Sequence, residues 1–192
     1  MIRLVLCILP ILLAFACGIG VLAPATAATP HKSSAKKTEA QAEDQKAKPV
    51  QIATYGDWGA FLAEAGKEKT CYALAQPKDR EPAKLKRDPA YVFISSRPGE
   101  NIRNEVSIIM GFPMKDGGDA QAEVGSASFE LISKGTNAWV KNPAKEAELI
   151  GAMKKGAKLI VKAASARGNV TTDSYSLSGL SQALDRVQKE CR

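Results

Sequence analysis

Two cysteines, one histidine and a run of cations hold most of the chemistry that this 192-residue chain could perform. The only histidine, His31, sits in a polar stretch rich in Lys, Ala, Gln and Glu, far from any candidate core. The part of the chain able to fold therefore has no imidazole. That excludes Ser-His-Asp and Cys-His catalysis there, and with them histidine-rich zinc sites. No Gly-rich phosphate cradle and no metal-ligand spacing occurs either, so no cofactor and no metal are expected. Of four cysteines, Cys7 and Cys17 lie in an apolar N-terminal run and only Cys71 and Cys191 lie beyond it.

The N-terminal run decides the compartment. Arg3 gives a short positive start, Leu4 to Leu22 is almost wholly apolar, and Ala25-Thr26-Ala27-Ala28 offers the small-residue site that a signal peptidase accepts. Residues 1–28 thus read as an export signal, with an uncleaved anchor or a lipid on Cys17 as rival readings. Cleavage near Ala28 leaves no integral membrane span, and export removes nucleic acid as an expected partner. The expected location is the periplasm, the outer envelope or the medium. Residues 29–49 contain no aromatic side chain and cannot bury enough surface to offset their ordering entropy, so they read as a flexible tether. In an oxidising compartment two remaining cysteines are usually paired. A Cys71–Cys191 bridge would staple the C-terminal helix to a strand, whereas a redox couple is the alternative use of the same residues.

The cations concentrate between Pro77 and Pro89. Lys78, Arg80, Lys84, Lys86 and Arg87 there face three acidic residues, in a chain of formal charge +7. These five are the candidate anion-binding residues, and a solvated loop between strands is the plain alternative.

From Val50 the pattern is that of one mainly β domain, 50–192. Tyr91 to Ser96 and Glu105 to Met110 are β-branched and aromatic runs, and Gly66-Lys67, Asp116-Gly117-Gly118-Asp119, Gly125 and Gly135 punctuate the series. Lys158 to Ala164 and Thr171 to Leu177 read as a hairpin around Arg167-Gly168-Asn169. Two helices interrupt the strands. Asn142 and Pro143 suit the start of the first and Gly156 a left-handed stop. The second spans about Gly179 to Glu190, with Ser178 as N-cap and Leu180, Ala183, Leu184, Val187 and Cys191 forming one apolar stripe. Many short strands with two helices suggest a decorated β-sandwich.

Several of these residues bring a family into view. Gly56-Asp57-Trp58, Cys71, the Ala152 to Leu159 stretch containing Gly156, and Tyr175-Ser176-Leu177-Ser178-Gly179-Leu180 running on to Cys191 resemble the invasion-associated locus B proteins, a family of exported bacterial proteins. The likeness spans Tyr55 to Cys191. It implies an immunoglobulin-like β-sandwich in the periplasm or outer envelope, with no enzyme activity and with a role in host-cell interaction for some members. Many relatives carry a further cysteine soon after the tryptophan. Here Gly59-Ala60-Phe61 follows Trp58, so the family's disulfide pattern carries over only in part. Gly56, Asp57, Trp58, Gly156, Tyr175 and Gly179 are expected to be structural.

The sequence therefore points to a non-catalytic exported protein that binds an envelope or host-surface component, the identity of which no motif gives. An envelope enzyme working through carboxylates and a thiol–disulfide factor using Cys71 and Cys191 are the alternatives.

Overall fold

A computed structural model describes residues 48–192, which belong to one compact unit. The stretches read from the sequence as an export signal and a tether fall, up to residue 47, outside the described residues. Eleven strands follow in order: β1 (Val50–Tyr55), β2 (Trp58–Ala65), β3 (Glu68–Ala75), β4 (Asp79–Glu81), β5 (Tyr91–Arg97), β6 (Ile102–Ile109), β7 (Asp119–Val124), β8 (Ala127–Lys134), β9 (Asn137–Val140), β10 (Lys158–Ala164) and β11 (Val170–Ser176). Helix α1 (Glu146–Lys155) lies between β9 and β10, and α2 (Leu180–Glu190) follows β11.

All eleven strands join one antiparallel sheet in the order β1-β2-β3-β5-β6-β9-β8-β7-β10-β11-β4. Consecutive strands pair through tight turns at Gly66, Gly125 and Gly135, where the sequence placed them. Strand period two then decides which residues turn inward: Cys71, Ala73 and Ala75 on β3, Leu159, Val161 and Ala163 on β10, and Thr171, Asp173 and Tyr175 on β11. A single apolar cluster from Trp58 to Cys191 fills the interior, and Leu180, Ala183, Leu184 and Val187 bring the stripe of α2 into it.

The two ends of the sheet meet. Trp58 Nε1 at the start of β2 donates to the Ser176 carbonyl at the end of β11 at 2.9 Å, and Asp57 N donates to the Ser178 carbonyl at 3.0 Å. The sheet must curl back on itself for this to happen. The mainly β architecture with two helices, one of them C-terminal, is as the sequence indicates. The curled sheet is compatible with a sandwich, although its strands share one hydrogen-bonded network.

Four local expectations are corrected. Gly156 is extended (φ −84°, ψ 165°) and does not stop α1 in a left-handed conformation. Its lack of a side chain matters for packing instead, because an added Cβ would overlap Val124 Cγ1. Ser178 does not cap α2: the cap position is Gly179, and Ser178 N donates to Ser176 Oγ at 3.2 Å. Asn142 accepts from Ala144 N at 3.1 Å, but across a 3-10 turn, Pro143–Lys145, that precedes α1. Finally, the segment from Pro77 to Pro89 is not simply a solvated loop, since β4 lies within it and pairs with β11.

Candidate functional site

The basic segment is built around a buried carboxylate. Register places Arg80 of β4 directly opposite Asp173 of β11, both on the inward face. Arg80 Nε donates to both Asp173 oxygens, at 3.2 and 3.1 Å, and Arg87 Nη1 donates to Oδ1 at 2.9 Å. The remaining guanidinium donors of Arg80 reach the Asp88 and Met110 carbonyls, each at 2.7 Å. Asp173 is fully buried, and the Arg87 side chain is only 3% exposed. Two of the five candidate anion ligands are therefore internal anchors. A third, Lys78, lies against Asp57 in an ion pair. Lys84 and Lys86 are exposed and, among the described residues, have no carboxylate partner.

The residues shared with the family resemblance gather at the seam where the sheet ends meet. Gly56 turns the chain between β1 and β2 with φ +54°, and a Cβ there would lie 2.6 Å from the Ser178 carbonyl oxygen. Gly179 (φ +89°) packs against the Tyr55 carbonyl from the opposite side. Trp58 and Tyr175 are both fully buried. Hydrogen bonds from Lys78 and Ser176 hold the Asp57 carboxyl below its ordinary range. Burial pushes the Tyr175 hydroxyl well up, and this group has no hydrogen-bond partner among the described residues. Gly156, at the end of α1, packs against Val124 and Leu177.

Cys71 and Cys191 form a disulfide with Cα atoms 5.9 Å apart, inside the usual range for such bridges. Both residues are buried, so the bridge ties the end of α2 to β3 from within.

Two surface features were not read from the sequence. On the outer face of the sheet Phe61, Tyr72, Phe93 and Tyr91 form a row with ring centroids 5.1, 5.6 and 6.0 Å apart, so the rings cover one another. Period-two alternation in β2, β3 and β5 carried that signal. The second is a polar cleft of about 460 Å³ beside the disulfide, lined by Ser96, Arg103, Asn104, Asp185, Gln188, Lys189 and Arg192. Among the described residues no group of three or more His, Cys, Asp or Glu side chains is placed to hold a metal ion, and no helix is long and apolar enough to cross a membrane.

Fold and site together define a disulfide-stapled β protein whose first and last long strands are clasped at a glycine-rich seam. The chain belongs to the invasion associated locus B (IalB) protein family, which it matches over residues 58–188. That span includes Trp58, Cys71, Gly156, Tyr175 and Gly179, while Gly56, Asp57 and Cys191 lie just outside it. No curated protein and no solved structure matches the chain.

Proposed function

We propose that the protein is exported from the bacterial cytoplasm and acts, without catalysis, as a binding protein at anionic envelope or host-cell surfaces. Export rests on the leader, with Arg3, its apolar run and the small residues ending at Ala28. The observation that carries the binding half is the anchoring of the basic segment. Arg80 and Arg87 fix it to Asp173, and Lys84 and Lys86 project from that fixed base into solvent. A segment whose backbone is already anchored loses less conformational freedom on contact than a loose loop. Each such lysine near an anionic surface contributes about 1 kcal/mol, so contact is weak singly and sensitive to salt. Burial of both sulfurs supports a structural staple over thiol exchange.

Replacing Lys84 and Lys86 together by glutamine tests this. Binding to phosphatidylglycerol vesicles at low salt should fall, with the melting temperature unchanged because neither side chain is packed. Binding that survives both the double change and high salt would refute the assignment. Turnover of an envelope substrate that disappears on mutating one carboxylate would refute the non-catalytic half.

A further inference from the structure

The cleft beside the disulfide is a built feature. Between the Ser95–Glu105 and Arg97–Ile102 pairs, β6 carries one residue more than β5, which makes a bulge of Arg103 and Asn104. Asn104 adopts φ +57°, a left-handed conformation that costs a side-chain-bearing residue about 1 kcal/mol or more. Ser96 Oγ accepts from Asn104 N at 3.2 Å, and Arg103 Nη1 donates to the Cys191 carbonyl at 3.1 Å. These bonds hold the bulge against the end of α2, itself fixed by the bridge to Cys71. The left-handed residue thus faces a rigid wall, which bulge and disulfide maintain together.

The polar groups left over have a definite chemistry. Arg103, Lys189 and Arg192 line the cleft and have no carboxylate partner among the described residues. Asp185 stands against them, and the end of α2 adds roughly half a negative charge. The cleft is net positive, and Arg103 has donors beyond the one engaged by Cys191. A bare oxyanion would meet the cations and bring no donor to the exposed Asp185 carboxylate. An oxyanion attached to a body bearing hydroxyl groups would meet both. Size agrees, because about 460 Å³ lies within the range of small-molecule sites.

We infer that this cleft binds a phosphorylated sugar, with the phosphate on Arg103, Lys189 and Arg192 and sugar hydroxyls donating to the exposed Asp185 carboxylate. The same chemistry occurs in a free sugar phosphate and in the head group of a phosphorylated glycolipid. The inference stands apart from the lysine pair on the basic segment, with which it shares no residue.

Titration calorimetry of the exported protein with glucose 6-phosphate, glucose and inorganic phosphate tests the site, together with flotation on phosphatidylcholine vesicles with and without monophosphoryl lipid A. Glucose 6-phosphate should bind about tenfold or more tightly than inorganic phosphate, and glucose without phosphate should not register. The double change Lys189→Gln with Arg192→Gln should weaken that binding about tenfold or more, while Lys84→Gln with Lys86→Gln leaves it unaltered. Retention on lipid A vesicles that depends on Lys189 and Arg192, with no response to the soluble ester, assigns the glycolipid head group as the source. Binding of neither probe, binding indifferent to Lys189 and Arg192, or inorganic phosphate binding as tightly as the ester would each overturn the inference.

Discussion

Gly179 leaves no room for a side chain beside Tyr55: an added Cβ would overlap the Tyr55 carbonyl oxygen, and the residue holds φ +89°. This contact joins the end of β1 to the turn that opens α2, and the Trp58–Ser176 hydrogen bond lies next to it. The seam cannot relax around a methyl group there, because the neighbouring atom is backbone and not a flexible side chain. Gly179→Ala should therefore destabilise the fold by about 2–4 kcal/mol. Gly99→Ala is the control, with negative φ and nothing within 4 Å of an added Cβ, and should change little. Urea denaturation of both variants checks the contrast.

The disulfide closes a loop across 120 positions. Its entropic contribution in the chain-constraint account is about 4–5 kcal/mol, less any strain. Cys71→Ser and Cys191→Ser should then lose similar amounts of stability, and the double variant should match either single one, because all three remove the same bond. Additive losses, or free thiols titrated in the native protein, would show that the two sulfurs are not joined.

Local pattern carried most of the architecture. The hairpins were legible because turn glycines bracket β-branched runs, and α2 was legible because its apolar residues recur at helical spacing. Cys71 and Cys191 were legible as a pair by counting. What failed was whatever depends on distant partners. Asp79-Arg80-Glu81 has no intrinsic strand character, and it is extended because β11 pairs with it. Arg80 and Arg87 look like surface cations until Asp173 is placed between them. A signal for Asp173 did exist, since it alternates with Thr171 and Tyr175 on one face of a strand whose partners are buried. The Arg103–Asn104 bulge had no such signal, and neither did the capping of α2 by Gly179 in place of Ser178.

Two carboxyls give opposite responses to pH. Hydrogen bonds from Lys78 and Ser176 hold Asp57 below its ordinary 3.8. The unfolded chain takes up that proton more readily than the folded one, so this stability is present above pH 3.8 and disappears as pH falls through the lowered value. Glu146 is shifted upward from 4.5, first by burial, although its Oε1 accepts from Val106 N at 2.6 Å. Here the folded state binds the proton more readily, and stability falls as pH rises from 4.5 through the raised value. Asp57→Asn should thus flatten the acid limb of a stability–pH curve, and Glu146→Gln should remove a loss on its rising side. Chemical denaturation of the wild type and both variants at a series of pH values between 3 and 7 measures the two slopes.

Asp173 ties the fold to the proposed surface. It is fully buried between Arg80 and Arg87, and Asp173→Asn keeps its shape while removing the charge that both guanidinium groups face. Uncompensated buried cations are costly, so a loss of about 3–5 kcal/mol is expected. Arg87→Gln alone should cost less than Asp173→Asn, because Arg80 still pairs with the carboxylate. The Asp173→Asn and Arg87→Gln changes should also be strongly non-additive, since they act on one network. The functional consequence separates anchoring from charge. Asp173→Asn makes the protein more positive, so a purely electrostatic account predicts stronger binding to anionic vesicles. If Lys84 and Lys86 work because their segment is held in place, binding should weaken instead, at a temperature where the variant is still folded by circular dichroism. Vesicle co-sedimentation at low salt distinguishes the two outcomes, and stronger binding by Asp173→Asn would leave the lysines acting as charges alone.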